Sequence, residues 1–201
     1  VIESRGLGDV YKRQHLMDAM PIDFSDELLA WSSQLSACRN MLEVIEERFL
    51  ELPQGGTAVG SGINAHKQFA KFFAQEMSKI LETKRKYIPS NNFFHELSAQ
   101  DCSVQLSGEL KNLAVILMKI SNDLRWMNSG PLAGLSEIEL QALQPGSSIM
   151  PGKVNPVIPE AVTMVSADVI GNDTSITVAA QAGNFQLNAV SYTHLRAHET
   201  R

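Results

Sequence analysis

The chain has 201 residues, of which 44% are hydrophobic and 19% are charged, so it is long enough to bury one good core. Its net charge of −5 and its sequence pI of about 5.5 argue against nucleic acid as a partner. The longest apolar run, residues 113–118, is far shorter than the roughly 20 residues of a membrane span, so we expect none. Only two cysteines are present, so we expect no disulfide framework and a cytoplasmic protein.

The two ends of the chain differ from the rest. Residues 1–14 (VIESRGLGDVYKRQ) have no sustained periodicity, and residues 191–201 (SYTHLRAHETR) turn abruptly basic and polar. Both stretches resemble translated cloning or sequencing adapters, so we expect non-native tails that take no part in the fold. His194 and His198 have the i, i+4 spacing of a helical metal pair, but no acidic third ligand accompanies them, and we expect no metal there.

A long helix is predicted from Ser25 onwards, and Pro53 ends it. Its apolar residues recur at alternating spacings of three and four, the pattern of a seam in a coiled-coil-like bundle. The residues of this seam are Leu28, Trp31, Leu35, Cys38, Leu42, Ile45, Phe49 and Leu52.

The glycine-rich segment at residues 55–62 has two interpretations. A phosphate-binding loop would need a preceding strand and a following Gly-Lys-Ser/Thr, and the sequence shows neither. A turn between helices that allows close backbone contact is therefore favoured. A second helix follows from about Asn64 to Leu81, and its predicted apolar face consists of Phe69, Phe72, Phe73, Met77 and Ile80.

Two further helices are predicted. One spans roughly Phe93 to Met127, with a heptad stripe of Leu106, Leu110, Leu113, Leu117, Ile120, Leu124 and Met127. The other runs from Glu160 to about Asn188. By propensity alone residues 175–178 would suit a strand, but the neighbouring long helices favour a buried helix that is interrupted near Gly171.

The most informative stretch is residues 146–156, GSSIMPGKVNP. Its glycines and prolines interrupt any regular element, and Asn155 followed by Pro156 is typical of a helix start. Lys153 would then lie beside the backbone N–H groups of a helix N-terminus. This combination can hold an anion, although a purely structural loop can have the same features.

The order of residues in this loop resembles the signature Gly-Ser-Ser-x-Met-Pro-x-Lys-x-Asn-Pro of the fumarase/aspartase superfamily, with every fixed position filled. Residues 55–62, 117–123, 129–131 and 171–173 agree with it. The resemblance covers about residues 15–190 and is strongest to class II fumarate hydratases. It implies an all-α fold, a long-helix bundle that forms the superfamily's central helical domain truncated at both ends, and no metal or other cofactor.

The resemblance implies reversible hydration of fumarate to (S)-malate, a reaction of the tricarboxylic acid cycle. The difficult step removes a proton from a carbon beside a carboxylate and leaves a doubly charged intermediate. By the resemblance, Ser147 takes this proton, Ser148 hydrogen-bonds the substrate, and Lys153 and Asn155 bind the developing charge.

A histidine and an acid are implied on the water side of the double bond. His15 matches the family's active-site histidine, although a lone histidine is also a common surface residue. Glu160 matches the acid paired with it, and a carboxylate in the first turn of a helix is favourable in any case. Gln14 stands where a threonine is usual, and we assign it to the tail.

Three readings of the function remain open. Gly152 resembles fumarate hydratases, whereas aspartate ammonia-lyases more often carry alanine there, so aspartate ammonia-lyase is the alternative. A catalytically silent fragment that only assembles through its helices is a third possibility. The resemblance further implies a small dicarboxylate substrate and a homotetramer with active sites shared between subunits, so we expect the isolated chain to be inactive.

Overall fold

The structure is a computed structural model that describes residues 2–4, 9–82 and 84–188. The tail predicted at residues 191–201, with His194 and His198, lies outside the described residues. In chain order the elements are β1 (Ile2–Ser4), β2 (Asp9–Gln14), β3 (Met17–Asp23), α1 (Phe24–Arg48), β4 (Glu51–Leu52), α2 (Phe69–Ile80), β5 (Ile88–Pro89), α3 (Phe93–Ser98), α4 (Asp101–Met127), β6 (Ile138–Leu140) and α5 (Val157–Gln181). The long helices α1, α4 and α5 dominate, which confirms the predicted helical-bundle class.

The long helices are divided between two compact units. The first unit consists of Val1–Cys38 and Asn112–Ile170, and the second of Arg39–Lys111 and Gly171–Arg201. Each unit boundary falls inside a helix, so α1, α4 and α5 each contribute one part to each unit. The single domain expected for residues 15–190 stays a prediction.

The first residues of the chain form strands, contrary to expectation. Strand β1 pairs antiparallel with β6, and β2 pairs antiparallel with β3 around a turn at residues 15–16. The prediction that residues 1–14 take no part in the fold is therefore wrong for the backbone of residues 2–4 and 9–14. Strand pairing satisfies backbone N–H and C=O groups whatever the side chains are, which is why the lack of periodicity did not reveal it. The non-native origin of this stretch stays a prediction.

Helix α1 buries only part of its predicted seam. Every seventh residue, Trp31, Cys38 and Ile45, is buried, at 6%, 2% and 8% exposure. The alternate seam residues Leu28 and Leu35 are 40% and 36% exposed. The helix also ends at Arg48, before the predicted Leu52, because tighter i→i−3 hydrogen bonds close its last turn and residues 51–52 pair with β5.

The glycine-rich segment forms a turn that brings backbones close together, as predicted. A Cβ atom added to Gly55 would lie 2.6 Å from the Cβ of Ala70, and one added to Gly60 would lie 2.7 Å from the backbone nitrogen of Phe94. Helix α2 begins at Phe69, five residues after the predicted Asn64. Its predicted apolar face is only partly covered, because Phe69, Phe72 and Ile80 are exposed.

The predicted helix from Phe93 to Met127 is two helices. The backbone is extended at Ala99 (φ −122°, ψ 156°), which separates α3 from α4. His95 Nε2 lies 2.8 Å from a carboxylate oxygen of Asp101 across this break. That hydrogen bond raises the pKa of His95, and Asp101 in the first turn of α4 is favoured by the helix dipole.

Small residues are the most buried positions of α4. Ser107, Ala114 and Ser121 recur every seventh residue and are 6%, 5% and 5% exposed. The predicted leucine stripe is half-buried, and its Leu110 is 41% exposed. The heptad period was predicted correctly, but the face that it buries was not.

Helix α5 is continuous through Gly171, so the predicted interruption there is wrong, whereas the helix favoured over a strand at residues 175–178 is confirmed. Within the second unit, the 6% exposed Asp173 accepts hydrogen bonds from Ser107 Oγ at 2.7 Å and Lys111 Nζ at 2.5 Å. One glycine inside a helix costs only about 1 kcal/mol, which such contacts outweigh. The helix runs from Val157 to Gln181 rather than from Glu160 to Asn188.

The described residues contain neither a membrane-spanning helix nor a cluster of metal-binding side chains. No described helix has the combination of length and apolar character that crossing a membrane requires. No group of three or more histidine, cysteine or acidic side chains suited to a metal ion occurs in the same part of the chain.

Candidate active site

The signature loop, residues 146–156, is folded tightly on itself in the first unit. Ser147 Oγ accepts a hydrogen bond from the N–H of Met150 at 3.1 Å, and the N–H of Lys153 donates to the carbonyl oxygen of Met150 at 3.2 Å. A Cβ atom added to Gly146 would lie 2.6 Å from that same carbonyl oxygen. Gly152 has φ +83°, a conformation that favours glycine.

Helix α5 follows the loop directly. The N–H of Glu160 donates to the carbonyl oxygen of Pro156 at 3.2 Å, which is the first i→i−4 bond of the helix. The helix begins at Val157, next to Pro156, so the helix-start signal at Asn155 and Pro156 gave its beginning better than the predicted apolar stretch from Glu160. Glu160 therefore lies half-buried in the first turn, where the helix dipole favours a carboxylate.

The loop and the C-terminal end of α4 border an open pocket of about 390 Å³. Three predicted site residues, Lys153, Asn155 and Glu160, line this cavity together. The other polar side chains that line it are Asn122, Arg125, Asn128 and Ser129. The structure thus brings together one carboxylate, two cations and several amide or hydroxyl groups, which can hold a small anion.

The other predicted site residues do not line this cavity. Ser147 and Ser148 are exposed on the signature loop. His15 lies in the turn between β2 and β3, exposed and with φ +54°. Within the described part of the chain, no hydrogen bond or ion pair joins His15 to Ser147 or Glu160.

Arg125 was missed by the sequence analysis. It lies between the quoted stretches 117–123 and 129–131, so the resemblance surrounded it without assigning it a role. Asn122 was inside a quoted stretch and was likewise given none. Nothing in the spacing of α4 reveals that these residues face a loop about 30 positions further along the chain.

A second cavity of about 480 Å³ lies in the same unit, and Leu16, next to His15, lines it. Lys119 Nζ lies there 2.5 Å from Asp123 and 3.3 Å from Glu27, and 5.8 Å from the ring centre of Trp31. Partial burial opposes the charged form of Lys119, but the two carboxylates outweigh this effect and raise its pKa. These charges satisfy one another, so we assign this cavity no chemistry.

Comparison with known proteins gives consistent matches. The lyase family matches residues 10–171. A protein named fumarate hydratase class II 2 from Pseudomonas aeruginosa is 58% identical over 178 residues, which are 89% of this chain and 38% of that protein. A fumarate hydratase class II from Xylella fastidiosa is 57% identical over 187 residues, 92% of this chain and 39% of the relative.

A solved structure agrees with these matches. The crystal structure of a recombinant class II fumarase from Schistosoma mansoni has a TM-score of 0.88 and 33% sequence identity, and the match covers 96% of this chain and 44% of that one. This chain spans about two fifths of the length of the curated relatives that it matches. The chain belongs to the lyase family, and its predicted resemblance to class II fumarate hydratases is confirmed.

Proposed function

We propose that this chain forms part of an enzyme that hydrates fumarate reversibly to (S)-malate, in the cytoplasm and as a step of the tricarboxylic acid cycle. The observation that carries the proposal is that Lys153, Asn155 and Glu160 of the signature region line one cavity. The names of the relatives support the same reaction. Because the chain spans about two fifths of their length, the activity is proposed for a protein of the full length.

The chemistry requires stabilisation of negative charge. In the direction from malate, removal of the C3 proton places a second negative charge on the adjacent carboxylate. Departure of the C2 hydroxyl group, protonated to water, then forms the double bond. A fixed ammonium at Lys153 and a carboxamide at Asn155 can hold this charge without reorganising during the reaction.

Ser147 is the proposed base for the C3 proton, and Ser148 the proposed hydrogen-bond partner of the substrate. A serine hydroxyl is a weak base unless donated hydrogen bonds stabilise its alkoxide. The N–H of Met150 already donates to Ser147 Oγ, which supports this role. Both serines are exposed on the loop and can approach a bound ligand.

We further propose a homotetramer in which His15 acts with Glu160 of a neighbouring subunit on the water side. Two observations support this arrangement. In the described residues of one chain, no hydrogen bond joins these two side chains, and Glu160 but not His15 lines the cavity beside the signature loop. Leu28 and Leu35 also leave part of the α1 seam exposed, as a helix that packs against another copy would.

A chimera tests the proposed reaction. In this chimera, residues 15–188 replace the matching stretch of the Pseudomonas aeruginosa relative, and the unmodified relative is the control. Loss of fumarate absorbance is followed in water alone and then with ammonium added. We expect the chimera to consume fumarate without ammonium, and the 201-residue chain alone to consume none.

Other results would refute parts of the proposal. Consumption only with ammonium would replace the hydratase by an aspartate ammonia-lyase. An inactive chimera beside an active control would support a catalytically silent fragment. For the shared site, an inactive His15→Ala chimera is mixed with an inactive Ser147→Ala chimera and reassembled; if no activity returns, the sites are not shared between subunits.

A further inference from the structure

The short helix α3 of the second unit is held from several sides. At its start, Asn92 Oδ1 accepts a hydrogen bond from the N–H of His95 at 3.2 Å. Near its end, the carbonyl oxygen of Leu97 accepts from the N–H of Asn188 at 3.1 Å. A Cβ atom added to Gly56 would lie 2.9 Å from Leu97 Cδ1. The position of α3 is therefore tied both to the glycine-rich segment and to the end of the described chain.

One histidine spans the break between α3 and α4. The N–H of Ala99 donates to the carbonyl oxygen of His95 at 2.9 Å and closes α3, and the backbone at Ala99 is then extended. Across this break His95 Nε2 lies 2.8 Å from Asp101 Oδ2, while His95 Nδ1 lies 3.5 Å from Glu96 Oε1. The imidazole ring thus lies between one carboxylate of α3 and one of α4. We call these two contacts the histidine bridge.

The protonation state of the ring decides whether both contacts can form. A neutral imidazole has a single N–H and can donate to only one of two carboxylates, whereas an imidazolium has an N–H on each ring nitrogen. The complete bridge therefore requires protonated His95. The hydrogen bond to Asp101 is the main cause that raises the pKa of His95, and the charge of Glu96 contributes in the same direction.

The other groups around the bridge do not reverse this preference. Partial desolvation and the charge of Arg48 in α1 oppose protonation, but Arg48 Nη1 is engaged with Gln105 Oε1 at 2.7 Å. Glu51 of β4 adds a third carboxylate to the same pocket of about 250 Å³. Burial raises the pKa of the Cys102 thiol, so this neighbour stays neutral. Three carboxylates and one guanidinium thus surround the ring, which favours the imidazolium.

We propose that the histidine bridge is a pH-dependent latch, in which protonated His95 holds α3 closed on α4 and loss of the proton lets α3 open at Ala99. A raised folded pKa stabilises the closed form below pH 6.5, and this effect is lost as pH rises through the folded pKa. The His95 side chain is 42% exposed, so we expect only a two- to fivefold change, about that of a surface ion pair, in the opening equilibrium. The latch does not depend on the reaction proposed above.

Amide hydrogen exchange of the 201-residue chain tests the latch. The native chain is compared with His95→Gln at pH 5.5 and at pH 8.5, and the amides of residues 97–99 are followed because their own neighbours in the chain are unchanged. Glutamine can still donate a hydrogen bond but cannot carry a charge. We expect these amides to exchange about two- to fivefold faster in the variant at pH 5.5. At pH 8.5 the two chains should exchange at nearly equal rates.

A second histidine provides the matched control. His66 lies in the same unit, and its Nδ1 accepts a hydrogen bond from the N–H of Gln68 at 3.2 Å. His66→Gln should leave the exchange of residues 97–99 unchanged at both pH values. Equal exchange of the native chain and His95→Gln at pH 5.5, or the same ratio at both pH values, overturns the latch. An equal acceleration of the amides of α2 also overturns it, because the loss is then global.

An NMR titration of the His95 ring tests the bridge without relying on that variant. We expect Asp101→Asn and Glu96→Gln each to lower the pKa of His95, and Asp101→Asn to lower it more, because its contact is the shorter one. A pKa of His95 that is the same in the native chain and in Asp101→Asn would show that no such bridge forms, and it would overturn the proposal.

Discussion

The buried carboxylate of Asp173 allows a quantitative prediction about stability. The substitution Asp173→Asn keeps an oxygen that can accept from Ser107, but it loses the charge-assisted bond from Lys111. Such bonds contribute about 1.5–3 kcal/mol. The Lys111 side chain is 45% exposed, so water can partly replace its lost partner. We therefore expect a loss of about 1–2 kcal/mol in the free energy of unfolding at pH 7.

Lys111→Met should cost more than Asp173→Asn. This substitution removes the cation beside the buried carboxylate of Asp173 and leaves the hydrogen bond from Ser107 in place. A buried charge without any compensating partner costs about 3–5 kcal/mol. We expect about 2–3 kcal/mol, because Ser107 still compensates in part. In the double variant the two losses should not add, since both remove the same ion pair. Urea denaturation of the 201-residue chain, followed by circular dichroism, measures the free energy of unfolding of the two single variants and of the double variant.

The pH dependence gives an independent check. The hydrogen bond from Lys111 lowers the pKa of Asp173 in the folded chain. A carboxylate with a lowered folded pKa stabilises the protein above its unfolded pKa, about 3.9, and this contribution is lost as pH falls through the folded pKa. The difference in the free energy of unfolding between the native chain and Asp173→Asn should therefore have its full size at pH 7 and become smaller below about pH 4.

A matched control uses an exposed ion pair. Arg39 and Glu43 lie 3.8 Å apart with both side chains more than half exposed, so Glu43→Gln should cost less than about 0.5 kcal/mol. Equal losses for Glu43→Gln and Asp173→Asn at pH 7 would show that burial of Asp173 does not strengthen its contacts. A difference that persists unchanged at pH 2 would contradict the role of its charge.

Four further predictions concern the loop and the break between α3 and α4. In the chimera, Ser147→Ala should lower kcat for fumarate by a factor of about 10²–10⁴, as loss of a general base does. Lys153→Met should impair both KM and kcat, because the lysine charge acts on the ground state and on the transition state. Gly152→Ala should cost about 1–2 kcal/mol in the free energy of unfolding, since φ is +83° there although the space for a Cβ is open; an unchanged denaturation midpoint would contradict this. The hydrogen bond to Asp101 raises the pKa of His95, so protonated His95 stabilises the folded chain below pH 6.5. This stabilisation is lost as pH rises through the folded pKa of His95. The difference in melting temperature between the native chain and His95→Gln should therefore become smaller from pH 5.5 to pH 9.

Periodicity predicted the long helices well but not the faces that they bury. The spacing of three and four correctly placed Trp31, Cys38 and Ile45 on the inner side of α1. It could not distinguish them from Leu28 and Leu35, which have the same apolar character but are exposed in this chain. Burial depends on which elements pack against a stripe, and a hydrophobic pattern does not specify its partner.

Breaks and strands depend on contacts that the sequence does not show. The break at Ala99 has no proline or glycine to mark it, and the contact between His95 and Asp101 spans it. Gly171 shows the reverse case, because a glycine is present but helix α5 continues through it, close to the buried Asp173. In both places tertiary contacts override local propensity.

The candidate site was predictable only where its residues are close in sequence. Lys153, Asn155 and Glu160 lie within eight positions, and the loop and the helix start together place them in one cavity. Arg125 reaches the same cavity from α4, and no spacing rule connects a helix C-terminus to a loop so far along the chain. Ser147 and His15 are not among the residues that line this cavity.

The central claim is that the cavity beside the signature loop is the substrate site, and a crystal structure of the chimera with bound succinate tests it most directly. We predict one carboxylate of succinate within about 2.7–3.2 Å of Lys153 Nζ and the Asn155 side-chain amide, the range of hydrogen bonds. Succinate bound at another site, with Lys153 and Asn155 making no contact to it, would contradict the account.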